Sequence, residues 1–108
     1  MSEAALDDPI LERLRKALDA TYGSRLERVV LYGSRARGDA AANSDYDIAV
    51  FLREMPDRAA ELNRLADLGT EILDETGEFI HAVPFAAGAY DDPRMPLMHE
   101  IRREGLAL

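Results

Sequence analysis

Leu31-Tyr32-Gly33-Ser34-Arg35-Ala36-Arg37-Gly38-Asp39, followed by Ser44-Asp45-Tyr46-Asp47-Ile48-Ala49-Val50, places ten residues between a Gly-Ser pair and an Asp-x-Asp that opens an apolar run. Within Arg28 to Leu31, Val29, Val30 and Leu31 are apolar and β-prone, so Gly-Ser falls where a buried strand ends and a turn begins. Gly33 lets backbone pass close to a phosphate with no Cβ in the way. Ser34 offers an N–H and a hydroxyl at the first turn of a short helix, where unpaired N–H groups and the dipole favour an anion. Arg35 and Arg37 add two positive groups beside that turn. Tyr46 to Leu52 reads as a second buried strand. Residues two apart on a strand share a side, so Asp45 and Asp47 converge while Tyr46 faces away and packs into the sheet. Paired carboxylates are hard oxygen donors suited to Mg²⁺, which keeps several waters and takes its remaining ligands from substrate phosphates.

With its Arg-Ala-Arg-Gly-Asp and Ser-Asp-Tyr-Asp, the motif resembles the minimal nucleotidyltransferases of the DNA polymerase beta superfamily. The likeness is specific from about Leu26 to Leu52 and looser out to Glu104-Gly105, where Ile-Arg-Arg-Glu-Gly is similar to the end of such domains. The resemblance implies a polymerase-beta-like nucleotidyltransferase fold and Mg²⁺-dependent attack on the α-phosphorus of ATP with release of pyrophosphate. It implies that Asp45 and Asp47 are catalytic and hold metal, and that Gly33, Ser34, Arg35 and Arg37 bind nucleotide. Family members normally carry a third acid on the third strand. Here Glu78 lies near the start of that segment and His81 nearer its centre. Either is a candidate for the missing role, because an ordinary imidazole titrates near neutrality and a carboxylate both binds metal and accepts protons. A pair of carboxylates acting without a third group is the remaining alternative.

The 108 residues, 47% of them hydrophobic, fit one unit spanning 1–108 with a modest core. A net charge of −8 and a pI near 4.7 argue against sequence-independent binding of nucleic acid, which requires a basic surface. No cysteine is present, so disulfides and thiolate chemistry are excluded. The N-terminus lacks the pattern of a secretory signal and no apolar run reaches membrane-spanning length, which makes the cytoplasm the expected compartment.

Asp8 and Pro9 read as a helix start, and Ile10, Leu11, Leu14 and Leu18 form an apolar stripe that ends at Thr21-Tyr22-Gly23. Pro56-Asp57 opens a long second helix closed by Thr76-Gly77. Glu78 to Phe85 reads as a third strand, with Phe79, His81 and Val83 on one face, and Ala86-Ala87-Gly88 as a loop. A final helix begins at Pro93 or Pro96 and stops at Gly105, with Arg102 and Arg103 favourable to its dipole and His99 on its surface. The expected architecture is α/β, a small mixed β-sheet covered by helices.

The chain shows neither an added helical domain nor a basic channel for a small or RNA acceptor. It is therefore most similar to small relatives that act on a HEPN ribonuclease toxin as its antitoxin and adenylylate a tyrosine hydroxyl. That resemblance implies a HEPN-type protein partner, and an acidic antitoxin complements the basic groups of a ribonuclease. Two other readings stand beside it: a catalytically weak nucleotide-binding antitoxin that neutralises its partner by contact, and a small-molecule nucleotidyltransferase built as a homodimer.

Overall fold

Asp8 starts the first helix in the way its place before Pro9 predicts. Its carboxylate accepts the Ile10 N–H at 2.9 Å, and α1 runs Pro9–Tyr22 with Leu11, Leu14, Leu18 and Tyr22 buried. A short 3₁₀ turn leads into β1 (Leu26–Tyr32), a one-turn helix α2 (Ser34–Arg37) follows, and β2 spans Tyr46–Leu52. Next come α3 (Arg58–Thr76), β3 (Ile80–Ala86), a 3₁₀ segment Ala87–Asp91, α4 (Pro96–Glu104) and a short β4 (Leu106–Ala107). The computed structural model describes residues 8–38 and 45–108, so Asp39 and Ser44 of the motif lie outside the described residues.

The sheet has the order β3-β2-β1-β4. Strand β1 is antiparallel to both β2 and β4, whereas β2 and β3 are parallel and joined through α3, so the sheet is mixed. Central β2 is buried along its whole length except at Asp47. One face of it, through Tyr46, Ile48, Val50 and Leu52, meets the apolar sides of α1 and α3. The opposite face, through Ala49 and Phe51, packs with Val30 on Met98 and Ile101 of α4. Asp47 shares that second face at the strand's beginning, where its carboxylate is partly exposed.

Helix α3 is capped by Asp57, which accepts the Ala60 N–H at 3.1 Å, and closed by Gly77 at φ 78°. Buried Glu61 on α3 meets Arg25 at 2.5 Å and Arg64 at 2.8 Å, pinning the helix to the entry of β1. Strand β3 starts two residues later than the alternation predicts. After the helix stop, Thr76 Oγ1 accepts the Glu78 N–H, and pairing with β2 begins only when Tyr46 donates its N–H to the Phe79 carbonyl at 3.0 Å. Strand β4 has no sequence signature of its own. Gly105 lets it form, since a Cβ there would collide with both the Ile101 carbonyl and Val30 Cγ1. Among the described residues no helix is long and apolar enough to cross a membrane.

Candidate active site

The end of β1 and the start of β2 meet because Tyr32 lies opposite Asp47 in the antiparallel register. Gly33 then takes φ 74°, ψ −159°, a backbone region essentially restricted to glycine. A Cβ on Gly33 would stand 2.5 Å from Asp47 Oδ2, so the turn is pressed directly against the carboxylate. From there α2 winds tightly: the Ala36 and Arg37 N–H groups donate to the Gly33 carbonyl at 3.1 and 3.2 Å, and Gly38 at φ 80° ends the helix. Half-buried Ser34 opens α2, and exposed Asp45 immediately precedes β2, two residues before Asp47. The Gly33 turn and the Asp47 carboxylate thus form one locus, with Asp45 two residues upstream.

His81 of β3 is the register partner of Asp47 on the other side, with Nδ1 3.6 Å from Asp47 Oδ1. Glu78 lies elsewhere: it precedes β3, and its Oε2 is 3.4 Å from Arg35 Nη2. The Arg35 guanidinium covers the Tyr46 ring at 3.9 Å, and the Tyr46 hydroxyl donates to Asp8 Oδ2 at 2.8 Å. Burial, reinforced by that hydrogen bond, pushes the Tyr46 hydroxyl up to about 12. Tyr46 faces away from the carboxylates and anchors α2 to the start of α1. Arg37 reaches the opposite way, to Glu104 at 3.2 Å and Glu100 at 3.8 Å on α4. Both arginines of the motif therefore hold α2 between neighbouring elements.

Tyr32 belongs to this locus although only its β-register reveals it. Its hydroxyl is raised above the ordinary tyrosine range, first by burial and then by the charges of Asp47 and Glu100. His99 is exposed and engaged locally, with Nε2 3.1 Å from the Pro93 carbonyl and Arg102 3.0 Å from Nδ1. Tyr90 packs edge-on against Phe51 at 5.4 Å under the Arg28 guanidinium.

No cluster of three or more His, Cys, Asp or Glu suited to a metal occurs among the described residues. The candidate donors are instead two carboxylates, Asp47 against the Gly33 turn and Asp45 two residues before it. Asp45 and Asp47 fit Mg²⁺ because this ion takes one or two protein carboxylates and completes its shell from water and substrate phosphate.

Residues 11–92 match the nucleotidyltransferase domain family. The chain belongs to that family. Two provisionally named protein adenylyltransferases of Methanocaldococcus jannaschii are similar to it. One is 38% identical over 47 residues, 44% of this chain and 48% of the relative; the other is 29% identical over 77 residues, 71% of each. The first match thus spans about half of that relative's length. Among solved structures, a toxin–antitoxin complex with AMP-PNP superposes with a TM-score of 0.66 at 21% identity, covering 89% of this chain and 69% of that one. A mutant MntA-HpeT toxin–antitoxin gives 0.61 at 19% identity over 89% and 70%. A nucleotidyltransferase of Sulfolobus solfataricus gives 0.64 at 16% over 99% and 87%. At these identities the superpositions establish the polymerase-beta-like fold.

Proposed function

We propose that this chain transfers AMP from ATP to a hydroxyl of a protein partner, a tyrosine of a HEPN-type ribonuclease toxin, and so acts as an antitoxin in the cytoplasm. The observation that carries the reading is the close approach of the Gly33 turn to the Asp47 carboxylate. It lets one molecule touch a phosphate cradle and a metal-binding carboxylate at once. The names of the Methanocaldococcus relatives support a protein acceptor, and the toxin–antitoxin neighbours support a toxin partner.

In this mechanism Ser34, with the backbone of Gly33 to Arg35, grips the β- and γ-phosphates. Arg37 adds positive charge. Asp45 and Asp47 hold Mg²⁺, which when bound neutralises phosphate charge and makes the attacking hydroxyl more acidic. The acceptor oxygen forms a bond to the α-phosphorus as the bond to the bridging β-phosphate oxygen breaks, and pyrophosphate departs. His81, next to Asp47 on the edge strand β3, is the residue we assign to take the hydroxyl proton.

Incubation with Mg²⁺ and labelled ATP, with and without the product of the neighbouring reading frame, tests the proposal. Label should appear on the partner and vanish with Asp45→Asn or Asp47→Asn, while melting temperatures stay near that of the parent. Near-full Mg²⁺-dependent transfer by either variant would remove the assigned metal site. One observation favours a second reading: β3 presents His81, and no acid, opposite Asp47. A chain that binds nucleotide and silences its partner by contact alone would leave the partner unlabelled yet inactive.

A further inference from the structure

Among the described residues the large apolar side chains that stand exposed are Leu62, Leu73 and Phe79, and all of them line one groove of about 300 Å³ between α3 and β3. The polar residues along it are Thr70 and His81, the latter with its imidazole on the Asp47 face of the sheet. Strand β3 ends the sheet there. Because the Phe79 carbonyl is turned inward to Tyr46 of β2, strand alternation turns the backbone groups of Ile80 and Ala82 outward along the groove. Gly69 lets α3 come close to this edge at its start, where a Cβ would stand 3.1 Å from the Ile80 carbonyl.

We propose that this groove docks the acceptor polypeptide. The occupant is an extended segment with apolar side chains flanked by Lys or Arg, which lies along the β3 edge at Ala82, beyond the contact of α3 with Ile80, and carries its hydroxyl to Asp47. The proposal rests on the reading that the acceptor is a protein hydroxyl. Three observations select this occupant. His81 belongs to the β3 edge that borders the groove, and its imidazole stands 3.6 Å from Asp47 on the other face of the sheet, so a chain lying along this edge passes beside the site. Exposed Asp67 and Asp74 are one stripe around α3 from the apolar row, giving the outer rim negative charge that complements a basic segment. A second copy of this chain, itself at −8, would bring like charge to the same rim. An added strand supplies main-chain hydrogen bonds for affinity and alternate side chains for specificity.

The test uses a fluorescein-labelled peptide Lys-Val-Tyr-Val-Leu-Lys, a version with Glu in place of both Lys, and the full chain without nucleotide. Fluorescence anisotropy should show the Lys peptide binding more tightly than the Glu peptide. Leu73→Ser with Phe79→Ser, both at exposed positions, should weaken the Lys peptide by about tenfold or more, given the apolar contact each side chain loses. Affinity for a fluorescent ATP analogue should not change in that double variant. The groove assignment is overturned by parental peptide affinity in the double variant, by no binding to the parent, or by a parent that sediments as a dimer which the double variant dissociates. Labelled transfer is followed separately. Docking without transfer refutes the adenylyltransferase reading and leaves the groove standing; transfer to the partner at an unchanged rate in the double variant does the reverse.

Discussion

Replacing Gly33 with alanine separates backbone strain from the contact that joins the two halves of the site. At φ 74°, ψ −159° an L-residue is strained by about 1 to 3 kcal/mol. The new Cβ would also stand 2.5 Å from Asp47 Oδ2, so the carboxylate must swing out of its rotamer, adding about 0.5 to 1.5 kcal/mol. The sum is about 1.5 to 4.5 kcal/mol, or a fall of roughly 6 to 18 °C at about 4 °C per kcal/mol for a domain of this size. Gly77→Ala is the control. It sits at φ 78°, ψ 2° with nothing within 4 Å of where its Cβ would stand, so it should lose only the left-handed strain, about 1 to 2 kcal/mol. Circular-dichroism melts of Gly33→Ala, Asp47→Ala and the double variant isolate the contact, because removing the carboxylate removes what the methyl meets. Gly33→Ala should also lose Mg²⁺-dependent binding of an ATP analogue, which Gly77→Ala retains. Equal costs for the two glycine variants, with the Gly33 cost unchanged in the Asp47→Ala background, would refute the claim that Gly33 is glycine because of Asp47.

Ser34→Ala should weaken triphosphate binding by the hydrogen bond of one hydroxyl to a charged acceptor, about 1.5 to 3 kcal/mol or roughly 10- to 150-fold in Kd by titration calorimetry. Tyr46 makes an alkaline prediction. Its hydroxyl is held up to about 12, so the neutral form stabilises the fold below the ordinary tyrosine value near 10, and that contribution disappears as pH rises through 10 to 12. At about 1.4 kcal/mol per unit, the parent should lose about 3 kcal/mol more than Tyr46→Phe across this window in urea titrations; parallel curves would remove Asp8 and burial as the cause. His81→Ala and Glu78→Gln, compared across pH, assign the base. If His81 takes the proton, the limb on which rate rises with pH should vanish in His81→Ala with a loss of roughly 10² to 10⁴ in rate, while Glu78→Gln keeps it; parental profiles in both variants would leave the hydroxyl to be activated without either side chain.

Much of the site was legible because its parts lie close in sequence and obey strong local rules. Asp8, Asp57, Gly23 and Gly77 mark helix ends at the positions their chemistry demands. The apolar run from Ile48 to Leu52 identifies a central strand, and period-two alternation puts Tyr46 opposite Asp47. What escaped reading is long-range. The partners of Arg35 and Arg37 are Glu78 and Glu104, separated from them by helices and strands whose packing no local pattern states. The same holds for Tyr32 beside Asp47, which is a matter of register, and for β4, whose Leu106 and Ala107 pair with β1 only because Gly105 lets the chain pass Val30. Glu78, placed in the strand by alternation, instead stands before it because Gly77 and the Thr76 hydroxyl prolong the helix exit.

The pairing of both motif arginines with carboxylates bears on how an acidic chain would receive a triphosphate. Arg35 already has Glu78, and Arg37 has Glu104 and Glu100, so on the proposed reading nucleotide binding exchanges carboxylate partners for phosphate ones rather than filling an unopposed positive pocket. The gain is a difference between two ion pairs, and for the half-exposed Arg37 that difference is small and screened by salt. Affinity must then come chiefly from the uncharged grip of Gly33 and Ser34 and from Mg²⁺ carried between phosphate and Asp45–Asp47. The stack of Arg35 on Tyr46 is separate from its pairing with Glu78, so on the same reading α2 can stay anchored to α1 while the guanidinium changes partner. On that reading a turn fixed this way is preorganised for phosphate, and a dependence on the metal would follow from the chain's own excess of negative charge.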